Sequence, residues 1–408
     1  MENITGRILE FNETRTEPTI SLKYDAMAES LFRFYRGTNH IFYEDLSNLE
    51  GIPNSPLSLI CGDLHLENFG SFKGDNRQVY FDLNDFDEAM VAPAILEIYR
   101  MVTSIFIAFE SLNIEEKKAF HMAELFLKTY SDVLQKGKAD YIEPNTAKGI
   151  VKDFLSAVSK RKQRDILEKR CAGNKDKLAI LLDDPHHIEL DKIVKHELMS
   201  HVMEWLKHDG ASPYNYKVID AVFRLAGTGS LGVKRYAILL KSLNEIGEKY
   251  LLLDMKQAMP SCLQPFIQVK QPAWENEAHR SVTIQRIMQN RSPALLSSTF
   301  YKDDDYLVEE IQPTRDKINF KFVKKNYRDM CRVIIDMAVL TASSQLRSAG
   351  RLGSSLPDDF MEFGKDKKWQ PEVLTYAMRY SHVFKGDFEN YKKDYKNGFL
   401  KRTSTIAV

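Results

Sequence analysis

The sequence has no excess of charge of either sign: 57 Lys and Arg stand against 57 Asp and Glu over 408 residues. A nucleic-acid binder usually shows a basic excess or stripe, so nucleic acid is not an expected partner. Cysteine is scarce. Cys61, Cys171, Cys262 and Cys331 lie far apart and form no C-x-x-C pair. That spacing indicates neither a zinc site nor a disulfide framework, and it suits a reduced, cytoplasmic setting. Met1-Glu2-Asn3-Ile4 lacks a basic n-region and an apolar h-region, so no signal peptide is expected. Long apolar runs are missing too. The best candidate, around 90 to 109, is broken by Glu97 and Arg100. It reads as a buried helix, and no membrane partner is expected.

What remains is an ordinary globular composition, 43% hydrophobic and 28% charged, long enough for one large or two smaller hydrophobic cores. Residues 26–48 read as helical, with Met27, Leu31, Phe34 and Tyr35 as the apolar set. Leu57 to Cys61 reads as a short strand. Asn68 to Lys73 and Gln78 to Leu83 flank the turn residues Gly74-Asp75-Asn76 and predict a β-hairpin. From about 93 to 210 the pattern is helical, with Lys160 to Arg170 as a charged, solvated face. Near 217 the texture changes. Val218 to Leu225, Gly232 to Leu240, Tyr250 to Met255 and Tyr306 to Ile311 read as strands, with a helix at 275–290. Helical texture returns at about 326. The order predicts an α+β protein with a mainly helical lobe (1–216 and 326–408) and a small sheet lobe at 217–325.

Two constellations carry chemistry. The first is Gly62-Asp63-Leu64-His65-Leu66-Glu67-Asn68, after a strand and before the hairpin, which leads into Phe81-Asp82-Leu83-Asn84-Asp85-Phe86-Asp87-Glu88. Phosphoryl transfer needs a carboxylate to orient and deprotonate a hydroxyl, and oxygen ligands for a magnesium ion. Asp63, Asn68 and Asp85 supply these groups if the hairpin returns Asp85 to the loop. Asp82 and Asp87 compete with Asp85; hairpin length favours Asp82, and the helix that follows favours Asp85.

The second constellation is Gly227-Thr228-Gly229-Ser230-Leu231-Gly232 between two strand-like segments. Strands on both sides, with no helix cap following, separate it from a dinucleotide fingerprint and suit a phosphate-covering turn. Lys256 ends the apolar strand Leu251-Leu252-Leu253-Asp254-Met255 and is placed to meet nucleotide phosphates. Its expected carboxylate partner is Glu277, with Glu275 as the alternative. Glu309 and Glu310 end a strand where a hinge between lobes would meet adenine. Arg36 reads as a salt-bridge residue with a possible phosphate contact, and His186-His187 as polar loop residues.

The first segment resembles the catalytic loop of aminoglycoside phosphotransferases, choline kinases and, more distantly, protein kinases. By that resemblance Asp63 is the catalytic base and His65 stands at a phosphate-contacting position. Asn68 and Asp85 are then the metal ligands, and Glu97 is a structural acid. Cys61 departs from the pattern, since many relatives carry His there. The order of parts is also rotated, because kinases place the glycine turn and lysine before the catalytic loop. A circular permutation accounts for this, with the helix at about 328–348 leading into the catalytic loop.

Over roughly 20–350 the chain resembles an uncharacterised bacterial family, domain of unknown function twenty-two fifty-two, grouped with the protein-kinase-like superfamily. The matching segments are Phe32 to Gly37, Gly62 to Gly70, Asn84 to Glu88, Gly227 to Gly232 with Arg235-Tyr236, Lys256 with Ser261, and Gln285 to Gln289. The resemblance implies a permuted, two-lobed kinase-like fold with a small antiparallel-sheet nucleotide lobe and a larger helical lobe, using ATP and Mg2+. The expected activity is phosphotransfer to a hydroxyl of a small molecule or a protein, a small acceptor being favoured. The alternatives are transfer of the nucleotidyl (AMP) group, and a nucleotide-binding pseudokinase acting as an interaction module.

Overall fold

The broken apolar run becomes the helix Ala94–Ser111, and nearly every side chain in it is buried. A helix that is apolar all round belongs at the centre of a helical layer. Here it packs against Glu116–Lys136, Gln370–Lys396 and the short helix Leu31–Gly37. Tyr327–Ser348 completes the layer against Glu116–Lys136. These elements come from a computed structural model that describes residues 3–15, 19–174, 177–182, 186–208, 215–227, 229, 231–244 and 249–400. The architecture is mixed α+β, and the described residues form three two-stranded ladders and one six-stranded sheet. Among the described residues, no helix is long and apolar enough to cross a membrane.

The large sheet is antiparallel throughout. Its strands run in the order Ser297–Tyr301, Asp304–Glu310, Tyr250–Gln257, Arg235–Ser242, Tyr216–Arg224 and His187–Ile188. Side chains alternate between its faces, as strand geometry requires. Tyr236, Ile238 and Leu240, with Leu251, Leu253 and Met255, pack against Leu198, Val202 and Leu206 of the helix Lys192–His208. The other face carries Val222, Ala237, Leu239 and Leu252, which meet Ile166, Leu167, Cys171, Ile180 and Ile311.

Two sequence expectations change here. The stretch 93–210 is not uniformly helical: Cys171–Asn174 pairs with Lys177–Ile180, and His187–Ile188 joins the large sheet, so the layer on the sheet begins well before 217. Strands of two to four residues are too short to show a period of two. The basic segment at 160–170 is also more than a solvated face. Its helix, Gln163–Arg170, lays Ile166 and Leu167 on the sheet.

Beyond the Tyr327–Ser348 helix the chain lies beside the strand Leu57–Ile60. Leu57 N donates to Ser355 Oγ at 3.0 Å, Leu59 N to Ser354 Oγ at 3.2 Å, and Ser355 N to Leu57 O at 2.8 Å. In that helix Asp336 is buried and accepts from Arg332 at 2.6 and 3.1 Å. Burial outweighs this partner and pushes the Asp336 pKa up to about 6. The native state therefore holds a proton that the unfolded chain releases, and stability falls as pH rises from about 4 to about 6. Asp336→Asn keeps an oxygen for Arg332 without a titrating group. Urea unfolding should lose on the order of 2 kcal/mol of pH dependence across that window; a wild-type slope in the variant would contradict this.

Candidate active site

Two short ladders set the geometry. Ile60 lies opposite Met90, and Phe69 lies opposite Leu83. The loops 61–68 and 84–89 therefore leave and return at the same end. Gly62 allows their contact: its φ is +80°, and a Cβ there would stand 2.2 Å from the Glu88 carbonyl oxygen. The Asn68 carboxamide staples the loops together. Its Oδ1 accepts from the N–H groups of Asn84 (3.2 Å) and Asp85 (2.9 Å), and its Nδ2 donates to the carbonyls of Asp63 (3.0 Å) and Asp85 (3.2 Å).

Asp63 is anchored on one side. Its Oδ1 accepts from Arg100 Nη2 at 2.8 Å and Nε at 3.1 Å. Arg100 is fully buried, donates to Tyr35 O at 2.9 Å, and lies 3.6 Å from the centroid of the Tyr35 ring. Burial pushes the Asp63 pKa up, with Arg100 opposing it. The other oxygen, Oδ2, is 3.8 Å from His65 Nε2. Burial keeps His65 neutral, holding its pKa well below the usual value. Two N–H groups face its ring, Glu67 N at 3.0 Å from Nδ1 and Arg36 Nε at 3.2 Å from Nε2. A neutral imidazole has one acceptor nitrogen, so it accepts from one of the two. Arg36 pairs with Glu67 at 2.6 Å. Behind the loop, Glu97 accepts from Cys61 N at 2.7 Å and Gln345 Nε2 at 2.9 Å.

The second loop meets the sheet. Lys256 forms an ion pair with Asp87. Burial, then the charge of Asp85, pushes the Asp87 pKa up to about 6. Burial also works on Asp85, but Lys256 and Arg315 outweigh it and hold that pKa below the usual value. Arg280 ties the helix Glu277–Met288 to the loop, donating to Asp87 O at 2.9 Å, to Met259 O at 3.0 Å and to Ala89 O. A cavity of about 420 Å3 opens between sheet and loops, lined by Asn68, Asp85, Asp87, Gly227, Lys256 and Glu309 among others. A smaller space of about 50 Å3 continues to Asp63 and Gly229. Arg15 closes it, donating to the carbonyls of Gly229 (3.1 Å) and Leu231 (3.0 Å).

A family model described as "Uncharacterized protein conserved in bacteria (DUF2252)" matches residues 15–394. The chain belongs to this family. Comparison with curated proteins found no match, and neither did comparison with solved structures.

In this family member, His65, Asn68, Asp85, Gly227, Lys256 and Glu309 share the larger cavity, while Asp63 and Gly229 line the smaller one that adjoins it. Gly232, at φ +94°, packs on Arg15. Ser230 lies outside the described residues. Glu277 does not partner Lys256: it pairs at 2.7 Å with Arg280, three residues along its own helix, and the alternative Glu275 is exposed. Asp87, expected only as a rival metal ligand, takes that place. Asp82 drops out as a ligand, since its buried oxygens accept from Leu83 N (2.9 Å) and Asn290 N (3.4 Å). Glu309 is paired with Arg315. His187 Nδ1 contacts Leu181 O at 3.0 Å, and no group of three or more metal-ligating His, Cys, Asp or Glu occurs among the described residues.

The sequence reading missed Arg100 as the anchor of Asp63. The available signal was a lone Arg in a helix apolar on every side, which demands a buried anion. Arg100→Met leaves the Asp63 carboxylate beside an apolar side chain. Chemical denaturation should show a loss of about 3–5 kcal/mol. A loss below about 1 kcal/mol, typical of a surface pair, would contradict the anchoring role.

Proposed function

We propose that this chain is an ATP- and Mg2+-dependent phosphotransferase that moves the terminal phosphoryl group to a hydroxyl of a small molecule or a protein. The observation that carries this is the split arrangement of carboxylates. Asp63 has one oxygen held by Arg100 and the other, Oδ2, 3.8 Å from His65 on the wall of the smaller cavity, while Asp85 and Asp87 line both cavities and Asp87 is paired with Lys256. The acceptor hydroxyl would sit against Asp63 Oδ2, which orients it and takes its proton; such general-base help is worth about 10²–10⁴-fold.

The donor set fits a magnesium ion. Asp85 and Asp87 are neighbouring carboxylates on one cavity wall, with Lys256 paired to Asp87 alone, and burial followed by the charge of Asp85 raises the Asp87 pKa. Magnesium is commonly held by one or two carboxylates plus substrate phosphates. Asp85 and Asp87 would hold it, and when bound it would neutralise the charge on the transferring group. Asn68 is a weaker candidate ligand, because its oxygen already accepts two backbone N–H groups. Lys256 would meet the phosphates, and Gly227 and Gly229 would lie over them.

The same reading makes the fold a permuted, kinase-like one. What supports it is the chain at 354–355 hydrogen-bonded beside Leu57, which puts the end of the Tyr327–Ser348 helix next to the strand entering the catalytic loop. One observation favours nucleotidyl transfer as the second reading. Two residues before Lys256, Asp254 is clamped by Arg224 and Arg235, a polar surface ill suited to stacking a base.

Asp63→Asn, which keeps an oxygen for the buried Arg100, should lower ATP turnover by at least about 10²-fold while leaving nucleotide binding intact. Undiminished turnover would sink the assignment. Lys256→Met should instead weaken Mg-ATP binding by about tenfold or more in a calorimetric titration, as expected for loss of a charged hydrogen bond. Unchanged affinity would remove Lys256 from the site.

A further inference from the structure

The sheet face that carries Lys256 continues into a second, larger cavity of about 550 Å3 beneath the helix Gln163–Arg170. Arg161, Lys169, Arg170, Arg224, Arg235 and Arg315 line it, against the acids Asp165, Asp254, Glu310 and Asp316. The acids are engaged. Asp254 lies between Arg224 and Arg235, Asp316 accepts from Arg161 at 2.6 Å, Glu310 pairs with Arg77 at 3.2 Å, and Asp165 accepts from Lys162 N at 2.8 Å. The bases are not all engaged. Among the described residues, Lys169 and Arg170 have no ion-pair partner. Arg170 Nη1 and Arg224 Nε are shielded from solvent yet have no hydrogen-bond partner. Buried guanidinium donors left unpaired are costly, and an anion would satisfy them.

The cavity is not isolated. Arg235, Arg315 and Asp316 line both it and the pocket that holds Asp85, Asp87 and Lys256. We propose that this chamber is a second anion-binding subsite, built for a chain of phosphates that extends from the carboxylate pocket past Arg235 and Arg315 toward Arg170 and Lys169. The fork of arginine suits phosphate oxygens, and several forks around one cavity suit a chain of them better than one isolated group. The subsite rests on the proposed function only for the source of that chain. If the chain is the nucleotide's own tail, the α-phosphorus lies nearest the metal-binding carboxylates. The acceptor oxygen then bonds to the α-phosphorus, the α–β bridging bond breaks, and the electron pair leaves with pyrophosphate. Asp63 takes the hydroxyl proton. If the chain is a separate ligand, the γ-transfer reading stands and the chamber holds a free polyphosphate or a phosphorylated compound.

Calorimetric titration of the full chain with inorganic tripolyphosphate tests the subsite directly. The wild type should bind, and Lys169→Met with Arg170→Met should bind at least tenfold more weakly while melting within a few degrees of wild type. No binding to the wild type, or equal affinity in the double variant, would overturn the subsite. Repeating the titration at saturating ATP identifies the source. Displacement by ATP assigns the chamber to the nucleotide tail, and label from α-phosphorus-labelled ATP should then appear on the acceptor. Simultaneous binding assigns it to a separate phosphate chain, with label from the γ position on the acceptor. The catalytic reading is judged separately by turnover in Asp63→Asn, which leaves the chamber residues untouched.

Discussion

The buried pair between Arg100 and Asp63 is the constraint around which the loops 61–68 and 84–89 are organised. A guanidinium with no exposure has to be neutralised where it stands, and here it meets the Asp63 carboxylate, the Tyr35 carbonyl and the rings of Tyr35 and Phe42. This fixes the loop 61–68 to the central helix Ala94–Ser111 and leaves the second carboxylate oxygen free of Arg100, 3.8 Å from His65. Glu97, one turn earlier, fixes the strand end through Cys61 N. The Asp63 carboxylate is thereby held by a rigid element and not by the loop's own preferences, which is what a preorganised site requires.

From that anchor the rest of the site is a chain of short-range bonds. Asn68 joins Asp63 to Asp85 through the backbone. Arg280 joins the second loop to the helix Glu277–Met288, and Lys256 joins it to the sheet. The charges alternate along this path: Arg100, Asp63, then Asp85 and Asp87 with Lys256, then Asp254 between Arg224 and Arg235. Such alternation keeps each buried charge compensated. The surplus is local and of both signs, acidic at Asp85 and Asp87 and basic at Lys169 and Arg170. A metal–phosphate chain has the matching polarity.

Much of this was legible in the sequence because it is local. The hairpin around Gly74 and the strand that carries Lys256 announce themselves by turn chemistry or alternation, and the Asp63–Asn68 spacing is a five-residue feature. Pairings across distant segments were not legible. Lys256 and Asp87 are separated by 169 positions, and nothing in a single sequence distinguishes Asp87 from Glu277 as partner. Arg100 was visible as a break in an apolar run, but its partner was not. The basic residues at 161–170 looked solvated because a helix whose two apolar side chains face a sheet leaves most positions polar. Whether the remaining cations face water or a cavity depends on the neighbouring sheet.

The central claim is that Asp63, Asp85, Asp87 and Lys256 form one nucleotide site. A crystal structure with a non-hydrolysable ATP analogue and magnesium tests it most directly. The account predicts metal density in contact with Asp85 or Asp87, phosphate oxygens within hydrogen-bonding distance of Lys256, and Asp63 Oδ2 left for an acceptor. A nucleotide bound elsewhere, or metal density with no contact to either carboxylate, would contradict it.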